Sequence, residues 1–185
     1  MKRFLFSILA TGLVVFNTMS QTNYYTKTGK IQFFSKTAIE NNDATNNQVV
    51  STLNTDNGEL NFGVLIKAFK FKNALMEEHF NENYMESSKF PKSTFKGKIN
   101  NLKEIDFKKP GKYTAKVSGD LTIHGVKKPI AASAILVVKE KTIGATSSII
   151  VKPSDYNIQI PDLVKDKIAK EVSVEINIDY EMLSK

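Results

Sequence analysis

The chain has 185 residues and a formal net charge of +7, from 26 lysines and arginines against 19 aspartates and glutamates, and it contains no cysteine. The length suits one domain with a real core, and the missing cysteine excludes disulfides, thiol nucleophiles and thiolate metal sites. Arg3 is the only arginine and the lysines never run longer than a pair, so the clustered, bidentate basic face that reads nucleic acid is absent.

Lys2 and Arg3 precede an apolar run over residues 4–16, and Thr18-Met19-Ser20 offers small residues at the positions before a cleavage site. This is the pattern of a secretory signal peptide over residues 1–20, too short to span a bilayer comfortably. The mature domain is then 21–185, with a charge of +5 once Lys2 and Arg3 are lost. No cysteine follows the cleavage site to carry a lipid anchor, so the expectation is a soluble periplasmic or secreted protein.

Strands are predicted at 29–36 and 48–54, with the polar stretch 41–47 (NNDATNN) as a turn between them. Residues 58–72 predict one strand with apolar residues on both sides: Phe62, Val64, Ile66 and Ala68 on one face, Leu65, Phe69 and Phe71 on the other. From 73 to 85 the period changes. Met76, Phe80 and Tyr84 recur every four residues, which predicts a short helix with one apolar stripe, capped by Asn73. Strands return at 93–100, 112–124, 129–139, 141–152 and 171–182, with a turn at Gly125 and a loop over 155–169 holding a helical turn near 163–168. Seven or eight strands with short turns make an all-β, mainly antiparallel domain, a barrel or a sandwich. An eight-stranded barrel has room for one slender ligand.

Two segments carry a resemblance: ALMEEHFNENYMESSKFPKSTFKGKI over 74–99 and GKYTAKVSGDLTIHGVKKPI over 111–130. They resemble the YceI-like family, whose members carry a helix with a Met…His…Phe pattern, a TFxG strand and a GxLTxHGVTK strand and turn. The sequence departs from that pattern in lacking tryptophan and histidine over 24–37 and in reading GVKK at the turn. The resemblance implies an extended eight-stranded lipocalin-like barrel with the helix packed against it. It also implies a long apolar lipid in the interior, an isoprenoid such as a quinone or a polyprenyl phosphate.

On that reading Phe62, Val64, Ile66, Phe69, Phe71, Met76, Phe80, Tyr84 and Phe95 are candidates to line the ligand cavity, with His124 at its mouth or as a structural histidine bonding the backbone of its turn. His79 and Glu82 share a helix face and are the nearest thing to a metal pair, but two ligands make no site. No cofactor is expected. Ser118, Asp120 and His124 could be drawn into a hydrolytic trio only without an oxyanion hole, so the expectation is a binding protein and not an enzyme. The alternative is a structural or interaction module whose barrel is filled by its own side chains. A headgroup-processing enzyme is a third possibility, and it would need a polar cluster at the mouth. The lysine-rich surface is compatible with transient contact with anionic membrane, and an incomplete barrel would leave an edge for a homodimer.

Overall fold

The computed structural model describes residues 23–183; the predicted signal peptide lies outside the described residues. Nine strands follow in order: β1 (Asn23–Lys36), β2 (Asn41–Asn54), β3 (Glu59–Leu65), β4 (Lys70–Phe71), β5 (Lys92–Ile99), β6 (Gly111–Ile123), β7 (Val126–Val138), β8 (Thr142–Val151) and β9 (Val172–Met182). One short helix, α1 (Ala74–His79), continues into a single wider turn over Phe80–Tyr84. Eight strands close a ring in the order β1-β9-β8-β7-β6-β5-β3-β2, with β2 pairing back to β1; β4 pairs only with β2. Every pairing is antiparallel.

Closure produces two unlike ends. One carries the β2–β3 and β7–β8 turns and the 100–110 connection, which lays Leu102, Ile105 and Phe107 against the lower core. The other carries the β1–β2 turn, the helix, the β6–β7 hairpin and the long 152–171 connection. Inward side chains follow the strand period of two. On β9 they are Val174, Ile176, Ile178 and Tyr180, alternating with exposed Glu175, Asn177 and Asp179. The β6–β7 hairpin turns on two residues with positive φ, His124 (50°) and Gly125 (75°), as tight hairpins prefer.

Two expectations need correction. Residues 41–47 are not a turn but the first half of β2. Asn42, Ala44 and Asn46 face inward and are buried. The polar ones are satisfied there: the Asn42 side-chain amide donates to the Lys167 carbonyl (3.0 Å) and that of Asn46 to the Leu65 carbonyl (2.9 Å). Nor is 58–72 one strand covered on both faces. β3 stops at Leu65, and a 3-10 turn over Ile66–Ala68 resets the phase. Phe69 and Phe71 therefore come to the same inner side as Phe62, Val64 and Ile66, while Leu65 faces solvent.

The ladder between β7 and β8 parts toward the mouth. β7 and β8 pair only from Ala134↔Ser147 to Val138↔Ile143. Above that, β7 stays paired to β6 and β8 to β9, but not to each other. Side chains bridge the parted strands. The Ser147 hydroxyl of β8 donates to the Ser133 carbonyl of β7 (2.8 Å), and Lys128 of β7 meets Asp155 of the connection that follows β8 at 3.5 Å.

Candidate functional site: an apolar bore closed at one end

The inward rows enclose a cavity of about 270 Å³. Its wall has two textures. β6, β7 and β8 contribute no aromatic ring: Ala115, Ala132, Ala134, Ala145 and Ser147 line it among larger aliphatic side chains such as Leu121, Ile130 and Ile149. The opposite side, from β1, β3, β4, β5 and the helical segment, contributes Phe33, Phe62, Phe69, Phe71, Phe80 and Phe95. Phe33 is the hub of the aromatic side, with ring centroids 5.4 Å from Phe69, 5.7 Å from Phe71 and 5.4 Å from Phe80. Offset and edge-on pairs at these distances hold the helical segment to the barrel beyond what burial alone supplies. The helix is also fastened by charge. Glu77 accepts from the Lys70 ammonium at 2.6 Å and from the Phe71 amide at 3.3 Å, and the Lys70 hydrogen bond holds its carboxyl below the usual carboxylate range.

The bore is hollow above and solid below. On β9, Val172, Val174, Ile176, Ile178 and Tyr180 line it, but Met182 does not. On β7 the lining stops at Leu136 with Val138 buried beneath, and on β8 at Ala145 with Ile143 buried beneath. Tyr180 crosses the bottom. It is 1% exposed, and its hydroxyl lies 2.7 Å from Ser51 Oγ. Ser51 spends its own proton on the Asn61 carbonyl (2.8 Å), so Tyr180 is the donor of that pair. Burial pushes the Tyr180 phenol well above the ordinary tyrosine value, so it stays a neutral donor.

The mouth is crossed by the 152–171 connection, which places Pro153, Ile158, Ile160 and Ile168 over the hollow. It is tied at both ends. On one side the Ala169 amide donates to Ser35 Oγ (2.8 Å), beside the Asn42–Lys167 bond. On the other side His124 places one ring nitrogen 3.2 Å from the Tyr156 carbonyl and the other 2.8 Å from Glu86 Oε2, with its ring 4.4 Å from that of Phe90.

The structure brings nine of the ten sequence candidates, Phe62, Val64, Ile66, Phe69, Phe71, Met76, Phe80, Tyr84 and Phe95, onto one wall. His124 is not on it; it knots the β6–β7 turn, the loop after the helix and the crossing connection. The sequence reading missed the alanine wall, Phe33, and the floor of Leu53, Leu136 and Tyr180. The alternation of β6 and β9 was visible, and it was the signal that could have nominated their inward rows. Ser118, Asp120 and His124 do not assemble: Ser118 bonds Asn100, Asp120 meets Lys127, and His124 meets Glu86. Among the described residues no group of three or more histidine, cysteine or acidic side chains could hold a metal ion, and no helix is long and apolar enough to cross a membrane.

A closed antiparallel barrel of eight strands with a capped, apolar, one-ended bore defines a lipocalin-like cup. The profile of the YceI-like domain matches residues 14–180, and the chain belongs to the YceI-like family. No curated protein matches it. Among solved structures it is similar to a polyisoprenoid binding domain from Saccharophagus degradans implicated in plant cell wall breakdown, with a TM-score of 0.77 and 15% identity over 89% of this chain and 100% of that one. BcnA of Burkholderia cenocepacia gives 0.65 and 14% over 82% and 95%. The YceI protein of Campylobacter jejuni gives 0.57 and 15% over the whole of both chains. At these identities the likeness establishes the fold.

Proposed function

We propose that this protein is an exported carrier or sequestering protein that holds the tail of a long apolar lipid, an isoprenoid such as a quinone or a polyprenyl phosphate, in the bore. The observation that carries the reading is the one-ended apolar hollow, whose inward rows come from strands all round the barrel. Apolar hollows of this kind exclude water and bind apolar guests. Each methylene buried contributes about 0.8 kcal/mol, so a tail is held without any headgroup recognition. The solved polyisoprenoid binding domain of like fold supports the isoprenoid class. The hollow upper half argues against a barrel filled by its own side chains.

Binding without transformation is supported by the separate partners of Ser118, Asp120 and His124. Export is supported by Lys2, Arg3 and the apolar run that follows them. Transient contact with a membrane surface is supported by Ile39, Leu75 and Leu163, which stand 66%, 57% and 97% exposed at the mouth end.

Mass spectrometry of organic extracts from protein purified out of its native host tests the reading. A stoichiometric isoprenoid is expected. A lipid-free protein that also refuses added quinone and polyprenyl phosphate would overturn it.

A further inference from the structure

The geometry points to a length limit on the cargo: the layer of Tyr180, Leu136 and Leu53 is a floor that sets how long a tail the bore accepts. The inference rests on the lipid-binding reading above and specifies its selectivity. Three strands place the limit independently. The lining ends at Tyr180 on β9, Leu136 on β7 and Ala145 on β8, and the next inward residues on β7 and β8, Val138 and Ile143, are buried outside the cavity. The floor is a fixed object and not a loose plug. Tyr180 is anchored across to β2 through Ser51, whose hydroxyl is itself committed to the Asn61 carbonyl on β3. Displacing the ring would leave a buried hydroxyl pair unsatisfied, and such groups strongly resist opening.

From Val172 at the mouth to Tyr180 the lining runs roughly 26 Å along β9, or about 20 Å of axial depth at the usual strand tilt. A tail shorter than that gains contact with every added unit. A longer one must double back or leave its surplus in water, so added length stops improving affinity.

The test is displacement of a bound fluorescent apolar probe by a ladder of linear prenols, farnesol, geranylgeraniol and solanesol, on the folded, delipidated full-length domain. In the wild type, affinity should rise along the ladder and then level. Tyr180→Ala should extend the rise, improving the longest prenol relative to geranylgeraniol several-fold, whereas Tyr180→Phe, which keeps the ring, should keep the wild-type limit. Ala134→Leu fills hollow space one layer above Leu136 and creates no cavity, so it should fold even if Tyr180→Ala does not, and it should move the limit to shorter tails. If the wild type binds prenols but the limit stays put in Ala134→Leu, and in Tyr180→Ala where that variant folds, the floor proposal is overturned and the lipid reading stands. If the wild type takes up no prenol at all, both fall.

Discussion

Gly97 and Gly119 face each other across β5 and β6, and the Phe95 ring lies over them. A Cβ on Gly119 would collide with that ring, with the Lys96 carbonyl and with Gly97 itself. The pair therefore exists to let an aromatic lie flat against the backbone at the inner wall. Gly119→Ala is expected to cost about 1–3 kcal/mol through overpacking, read as a lower urea midpoint at unchanged slope. Tyr180 makes a different prediction. Its raised phenol pKa gives stability that is complete below the ordinary tyrosine value of about 10 and is lost as pH climbs above it, because the unfolded chain ionises first. Tyr180→Phe should lose about 1 kcal/mol at neutral pH and show a shallower alkaline decline in denaturant midpoints between about pH 8 and 11. Tyr84 and Tyr156, also raised chiefly by burial, keep that decline from vanishing. An identical decline in both proteins would refute the account.

At the level of elements, the 152–171 connection behaves as a strap whose fastenings can be cut one side at a time. Ser35→Ala combined with Asn42→Ala removes the acceptor of the Ala169 amide and the donor to the Lys167 carbonyl. Faster amide exchange confined to residues near 165–170, with several-fold faster release of a bound prenol, is expected. Unchanged exchange there would show that these two hydrogen bonds do not hold the strap. The same pair of residues explains what the sequence could and could not reveal. β6 and β9 were legible to within a few residues because their inward positions are apolar and their outward ones polar, and β7 because its apolar run is bounded by Gly125 and Lys139. The first half of β2 was illegible because its inward row includes Asn42 and Asn46, whose partners are the carbonyls of Lys167 in the crossing connection and of Leu65 at the end of β3. The break after Leu65 was hidden by an apolar run that reads the same on either side of the turn, so Phe69 and Phe71 were counted onto the wrong face. Whether the barrel was hollow could not be read from any one strand. It depends on alanines of β6 to β8 facing phenylalanines from the other wall, which is a property of strands brought together only by closure.

For the whole molecule, the important asymmetry is that β7 and β8 are laddered together near the base and part toward the mouth. A fully laddered barrel has a fixed girth, since widening it anywhere breaks main-chain hydrogen bonds. Here β7 meets β8 above the ladder only through the Ser147 hydroxyl, and the hairpin above meets the connection after β8 through the Lys128–Asp155 ion pair and the His124 knot, so this seam can dilate without touching the ladder. Stiffness therefore falls from base to rim, as in a drawstring purse: the bottom keeps its shape while the neck changes circumference. A bulky head or a kinked tail could then pass the rim by a local, low-energy dilation, at a rate unconnected to how stably the domain is folded.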